Sequence, residues 1–528
     1  MRVGEAVIRL LETYGVDTVF GIPGVNTIEL YRGLAGSPIR PITARNEQGA
    51  GFMADAYARV TGRPGVCVLI SGPGVTNAAT PIAEAYHDSI PMLVVAAAGA
   101  RADLGRGNGS LHDLPDQAGL VRSITALSWT VLDAAELPGL LADAWRIFDT
   151  RRPRPVHIAI PTDLLAEDSP PLVPVARAGA RARPGRTAIR RAAELLAGAR
   201  RPAIILGGGA VDAGAEARAL AELIDAPVAV TGNGRGVMPS VHPLCLNSTL
   251  PMEPVQELFA TSDVVLLVGT ELSPIDTVYT GVPLTFRGSI IRVDLDLGQL
   301  HKTVVPKVAV LADAAAALAA LEEAVRSIGR PRVAEPGAER VRRALAEIRW
   351  TDQTETHRPW LDALDAALPE DRIVAADSTQ LAYSAHQYMP ACRPRSWFAP
   401  YGFGTLGTAL PQAIGAKVAA PGRPVVAIAG DGGFLFTVGE LATARDLGAP
   451  LPIVLWDNRG YGEIRYWFDR AGAPRIGTET TAHDFLTIAR GFGCLAVEAT
   501  TPDDLRLQVE RALEADRPTV IRVLEPGF

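Results

Sequence analysis

Residues 424–433 read PVVAIAGDGG and residues 450–458 read PLPIVLWDN; each is a β-branched apolar run, the first ending in a glycine-rich turn around Asp431, the second at Asn458. Apolar runs of this length, without polar alternation, predict strands buried on both faces, as in a parallel sheet covered by helices. One right-handed crossover between two such strands puts their ends on the same carboxyl edge of the sheet. Asp431 and Asn458, 27 positions apart, are therefore expected to project together.

The same unit occurs twice more. One copy is Val66–Ile70, the turn SGPG at Ser71–Gly74, a helical stretch to His87, then MLVVAAA after Pro91. Another is AIIL after Pro202, the turn Gly207–Gly209, then VAV after Pro227. The alternation predicts an α/β protein with three doubly wound parallel-sheet domains, expected at residues 1–166, 186–330 and 345–528. A length of 528 residues exceeds what one core supports. The proline-, alanine- and arginine-rich stretch 167–185 and the polar stretch 330–339 are the expected linkers.

Composition narrows the partners. The net charge of −7 is spread without long blocks of one sign, which gives no footprint for nucleic acid or an anionic membrane. Apolar residues at the start have helical spacing, with Glu5, Glu12 and Asp17 interleaved, unlike a signal peptide. No segment has the uncharged apolar length of a membrane span, and a cytoplasmic location is expected. Cys67, Cys245, Cys392 and Cys494 form no CxxC pair and are expected to be buried free thiols.

The edge carrying Asp431 has a particular chemistry. Gly430, Gly432 and Gly433 let backbone approach a phosphate, and the following helix offers unpaired N–H groups to its oxygens. Hard oxygen donors suit Mg2+, and the expected ligands are the Asp431 carboxylate, the Asn458 amide oxygen and the Gly460 carbonyl, with room for two diphosphate oxygens. A tight turn and an ordinary strand end are the plain alternative; the glycines, the spacing and Tyr461–Gly462 together favour the site. Gly430-Asp431-Gly432 followed by Asp457-Asn458 resembles the thiamine diphosphate motif of the acetolactate synthase, pyruvate oxidase and benzoylformate decarboxylase superfamily. The family usually has two asparagines where this chain has Asp457-Asn458, and the metal position is the second.

The resemblance extends over essentially the whole chain, in the order pyrimidine-binding, middle and diphosphate-binding domain. It implies that Glu47, in ARNEQGAGFMADAYAR, activates the cofactor by hydrogen bonding a ring nitrogen of its aminopyrimidine. It also implies cofactor contacts from Pro23 and Gly24 in FGIPG, Asn77 in the stretch after Ser71, and Ser378, Thr379 and Gln380 after the run IVAAD. Gly404, Tyr461 and Leu406, the last as the apolar prop for the bent cofactor, complete the set. DST after a strand is also a common helix cap, and Leu406 also reads as a core leucine. In this family the pyrimidine domain of one subunit faces the diphosphate domain of another, so a homodimer or homotetramer with active sites at the subunit interface is implied.

The expected reaction is decarboxylation of a 2-oxo acid to an aldehyde, with an acetolactate synthase-like carboligase as the alternative. Acetolactate synthases typically carry RFDDR-type and FQE segments, where this chain reads GTELSPIDTVYTG from Gly269 and SLHDLPDQAGL from Ser110. LHDLPDQ, DNRGYGEIR and ARGFGC look closer to the 5-guanidino-2-oxopentanoate decarboxylase branch. A cationic substrate needs a carboxylate, and Asp113, Asp116, Glu271, Asp276 and Glu463 are the candidates. Histidine titrates near neutrality, which makes His112 the first candidate for product protonation and His87 the second, with a catalytic role for Glu463 left open. GGGAVDAG at Gly207–Gly214 is too weak a glycine pattern for flavin, and FAD is not expected.

Overall fold

A computed structural model describes residues 1–177, 179–277 and 283–526. Three sheets organise the chain. The first contains β1 (Thr18–Gly21), β2 (Arg40–Thr43), β3 (Gly65–Leu69), β4 (Met92–Ala98), β5 (Leu127–Thr130) and β6 (Val156–Pro161), in the order β2-β1-β3-β4-β6-β5. The second contains β7 (Pro202–Leu206), β8 (Val228–Val230), β9 (Val264–Val268), β10 (Ser289–Asp294) and β11 (Val308–Leu311), ordered β11-β10-β9-β7-β8. The third contains β12 (Ile373–Ala376), β13 (Trp397–Phe398), β14 (Val425–Gly430), β15 (Leu451–Asp457), β16 (Leu495–Glu498) and β17 (Pro518–Leu524), ordered β13-β12-β14-β15-β17-β16. Pairings are parallel throughout the first two sheets and from β12 to β16 in the third.

Counted in chain order, the first and third sheets have the same strand order, and the second shares its first four positions. The three-domain α/β reading therefore holds, with one refinement. The copies at Val66 and Pro424 are β3–β4 and β14–β15, the third and fourth strands of their sheets, whereas the copy at Pro202 is β7–β8, the first and second of its sheet. A strand, glycine turn, helix and strand look alike at any position in such a sheet, so the pattern carries no rank within it.

The chain forms two compact units. The first comprises residues 1–179, 373–382 and 398–528 and holds the first and third sheets; the second comprises residues 180–372 and 383–397 around the middle sheet. The described residues of 167–185 contain no helix or strand, and the division between units falls inside them. The stretch at 330–339 lies within the second unit, which continues through helices Gly337–Ala346 and Asp352–Ala367. Among the described residues no helix is long and apolar enough to cross a membrane. All four cysteines are free; Cys67, Cys245 and Cys494 are buried, but Cys392 is partly exposed.

Within the first unit, helix Glu47–Thr61 packs against helix Ala409–Ala419. Both are rich in alanine and glycine, so their backbones come into contact: a Cβ on Gly415 would lie 2.2 Å from the Met53 carbonyl oxygen. A buried ionic cluster lies beside this contact. Arg59 pairs with Asp55 at 2.6 Å and Asp88 at 2.7 Å, and Gln412 Nε2 donates to Asp55 at 2.9 Å from the facing helix. Glu84, fully buried, accepts from the backbone N–H of Gly402 at 3.2 Å. One guanidinium does not neutralise three buried acids, and burial, then the Asp88 carboxylate, pushes the Glu84 pKa up to about 9.

Glu84 therefore keeps its proton on folding at pH values where the unfolded chain has lost it. Its contribution is fully present below the ordinary glutamate range and is lost as pH rises toward 9. Glu84→Gln is expected to be increasingly more stable than the wild type as pH rises from 5.5 to about 8.5. Urea unfolding at both pH values measures this, and a stability difference independent of pH would contradict the assignment.

Candidate active site

β14 and β15 are adjacent, with Gly430 in register with Trp456, so the residues after each strand leave the sheet side by side. Asp431 begins helix Asp431–Phe436 and is 5 % exposed; Asn458, just past β15, is 4 % exposed. The chain then turns through Gly460 at φ +152°, where a Cβ would lie 2.3 Å from the Thr478 carbonyl oxygen. Only glycine fits, and the turn brings the Gly460 N–H to Asp431 Oδ2 at 2.8 Å.

Asn458 Nδ2 donates to Gln380 Oε1 at 3.1 Å. In that orientation its amide oxygen lies 2.7 Å from the Gly460 carbonyl oxygen and 3.3 Å from Asp431 Oδ1. The amide oxygen then meets two acceptors with no hydrogen between. Turning the amide over would present N–H groups to two of them but set its oxygen against Gln380 Oε1. A cation beside these oxygens would relieve the conflict and keep the Gln380 hydrogen bond. The donor set is one carboxylate and two neutral oxygens, which suits a hard divalent ion that takes its remaining ligands from phosphate and water. Among the described residues no three His, Cys, Asp or Glu side chains gather as a metal site. Burial, then the nearby Asp457 carboxylate, raises the Asp431 pKa to about 6, against the opposing pull of the Gly460 N–H.

The surrounding loops are tied to this edge. Asp377, 1 % exposed at the end of β12, accepts from the N–H of Ser378 at 2.8 Å and of Gly407 at 3.0 Å. Ser378 Oγ donates to the Thr405 carbonyl at 3.2 Å. These bonds hold the loop carrying Gly404 and Leu406 against the strand end, and Leu406 is half-buried there rather than in the core. Thr379 lies against Gly430, and the ring of Tyr461 against Gly432. Arg465, buried, donates to the Asn458 carbonyl at 2.7 Å. Glu463 Oε1 accepts from Trp467 Nε1 at 2.9 Å; burial raises its pKa, and hydrogen bonds from Trp467 and Gln380 oppose the rise.

A second group of residues gathers at the first sheet. Glu47 opens its helix, as expected from the sequence, with Asn46 as the cap. Its carboxylate, 9 % exposed, accepts from Asn77 Nδ2 at 2.9 Å and lies beside Gly74. The N–H groups of Arg45 and Asn46 donate to Glu440 Oε1, both at 3.0 Å, which fixes the start of this helix. His112 adopts φ +62°, packs its backbone against Gly72 and has a buried Nδ1 without a partner. Gln117 Oε1 accepts from the Gly72 N–H at 3.0 Å, while its Nε2 donates to the Ala97 carbonyl at 2.9 Å. Pro23 is exposed, and the Gly24 N–H donates to Thr27 Oγ1 at 3.0 Å. His87 stacks on Phe403 at 5.4 Å.

The chain matches three family models: thiamine pyrophosphate enzyme N-terminal TPP binding domain over residues 1–120, central domain over 189–321 and C-terminal TPP binding domain over 377–523. It belongs to the thiamine pyrophosphate enzymes. It is 46% identical to a probable 2-ketoarginine decarboxylase of Pseudomonas aeruginosa, over 98% of this chain and 92% of that protein. It is 32% identical to the acetolactate synthase isozyme 1 large subunit of Escherichia coli (98% and 93% covered) and 33% identical to the acetolactate synthase of Mycobacterium bovis (98% and 87% covered).

For a thiamine pyrophosphate enzyme, the residues collect into two groups: Glu47, Asn77 and His112 around the SGPG turn, and Gln380, Asp431, Asn458, Gly460 and Glu463 at the β14–β15 edge. Of the acids considered for a cationic substrate, Asp116 caps helix Gln117–Val121 through the Gly119 N–H at 2.7 Å. Glu271 and Asp276 belong to the second unit, where Glu271 accepts from Gln299 at 3.3 Å and Asp276 from the Gly232 N–H at 2.8 Å. The stretch GTELSPIDTVYTG runs partly outside the described residues. Gly207 and Gly209 pack against Gly269, so these glycines serve close approach between loops.

Asp377, Gln117 and Arg465 were not singled out from the sequence. Asp377 had a signal: a carboxylate ending an apolar strand must find donors once buried. Asp431→Ala is expected to weaken calorimetric binding of thiamine diphosphate with Mg2+ by at least about tenfold, the scale on which metal-site changes act. Equal affinity in both proteins would remove Asp431 from the site.

Proposed function

We propose that the chain decarboxylates 5-guanidino-2-oxopentanoate to its aldehyde, using thiamine diphosphate and Mg2+ in active sites shared by two copies of the chain. The observation that carries this reading is the near full-length 46% identity to the Pseudomonas relative named for 2-ketoarginine decarboxylation, well above the 32–33% shared with acetolactate synthases. The converging oxygens of Asp431, Asn458 and Gly460 support the metal.

Bound thiamine diphosphate supplies the electron sink that lets a 2-oxo acid lose its carboxylate as CO2. Asp431, Asn458 and Gly460 would hold Mg2+, and Ser378, Thr379, Gln380, Gly404, Gly430, Gly432, Gly433 and Tyr461 would line the diphosphate end. Leu406 would pack against the cofactor, and Glu47 would hydrogen bond its pyrimidine nitrogen, with Pro23, Gly24 and Asn77 around it. His112 would supply the proton that takes the place of CO2 on the substrate carbon.

Sharing between copies is supported by exposed apolar surface beside the two groups. Large apolar side chains beside both groups are exposed: Val25, Leu111, Phe403 and Trp467. Exposed apolar surface next to site residues is what a second copy would cover.

Glu47→Gln is expected to slow turnover by about 10²–10⁴-fold, the range for a general acid–base group. Wild-type enzyme with cofactor, Mg2+ and 5-guanidino-2-oxopentanoate is expected to release CO2 and free aldehyde. A 2-hydroxy ketone as the main product would favour carboligation, and unchanged turnover of Glu47→Gln would remove that residue from the mechanism.

A further inference from the structure

We propose that Glu463 and Trp467, on consecutive turns of helix Gly462–Arg470, receive the substrate guanidinium and select a cationic 2-oxo acid over a neutral one of the same shape. The inference rests on the guanidino-acid reading and assigns residues to it.

Position comes first. Gly462 packs against both Asn458 and Gln380, so that a Cβ there would lie 2.3 Å from Asn458 Nδ2 and 2.6 Å from Gln380 Oε1. Gln380 hydrogen bonds Asn458 on one side and Glu463 on the other. The Glu463 carboxylate is thus one side chain away from the oxygens assigned to the metal, and a substrate bound beside that edge would meet the first turn of this helix.

The pair also has the right chemistry. Glu463 is partly buried, and its carboxylate accepts from Trp467 Nε1 at 2.9 Å and from Gln380, two neutral donors that leave its charge and its remaining lone pairs for a guanidinium. Among the described residues no cationic side chain pairs with Glu463. A desolvated carboxylate gains more from such a partner than an exposed one does. The Trp467 indole, 54 % exposed, adds an aromatic face to which a guanidinium is attracted. The chain contains an example of that contact: the Arg470 guanidinium lies 5.8 Å from the Trp467 ring centroid. Of the other candidate acids, Asp116 caps helix Gln117–Val121, and Glu271 and Asp276 belong to the second unit, not to the β14–β15 edge. Asp113, next to His112 at the first sheet, is the remaining competitor and serves as the comparison.

The test compares kcat/KM for 5-guanidino-2-oxopentanoate and 5-ureido-2-oxopentanoate, which match in length and shape but differ in charge. Wild-type enzyme is expected to prefer the guanidino acid by about 10²-fold. Glu463→Gln is expected to lower that ratio at least about tenfold, mainly through KM for the guanidino acid, and Trp467→Leu by about fivefold. Asp113→Asn is expected to leave the ratio unchanged, and Glu463→Lys to invert it. A wild-type enzyme indifferent to charge would overturn the substrate reading and this assignment together. A charge-selective wild type whose ratio survives Glu463→Gln, or falls instead with Asp113→Asn, would overturn the assignment alone.

Discussion

At the carboxyl edge of the third sheet the Asn458 amide oxygen, as its hydrogen bond to Gln380 orients it, lies beside two other oxygens, those of the Asp431 carboxylate and the Gly460 carbonyl. Alone, such a group is repulsive, and chains normally avoid it by turning an amide or placing a donor between acceptors. Here the surroundings hold it. Gln380 fixes the amide, the Gly460 N–H fixes one carboxylate oxygen, and buried Arg465 holds the Asn458 carbonyl. On the proposed reading, a divalent ion at this edge would offset the electrostatic cost of that geometry.

The fold places this receptor through a repeated design. The first and third sheets have one strand order and pack together within one unit through two glycine- and alanine-rich helices. In both, the candidate site residues gather at the turn after the third strand. In the third sheet that turn carries Asp431; in the first it is SGPG, with Glu47, Asn77 and His112 gathered around it. One topology thus presents an oxygen-rich edge in the third sheet and a carboxylate and an imidazole in the first, and what distinguishes them is the side chains at matching strand ends.

The fold class was legible because parallel strands buried on both faces leave continuous apolar runs, and glycine turns mark their ends. Asp431, Asn458 and Glu47 were legible because each sits at the end of such a run or opens the helix after one. The rank of β7–β8 within its sheet was not, since local patterning does not encode strand order. Asp377 and Arg465 escaped notice for a different reason: they act on backbone amides and carbonyls brought close only by tertiary packing, so nothing in their local spacing marks them. Asp116 looked available for a substrate and proved to be a helix cap, a role that a polar residue before a short helix often takes.

The most direct measurement is anomalous diffraction from crystals of the enzyme grown with thiamine diphosphate and Mn2+ in place of Mg2+. The account requires one strong peak within coordinating distance of Asp431 Oδ1, the Asn458 amide oxygen and the Gly460 carbonyl, with the amide unturned and still donating to Gln380. A map with the cofactor bound but no peak there, or with the Asn458 amide reversed toward Asp431, would contradict it.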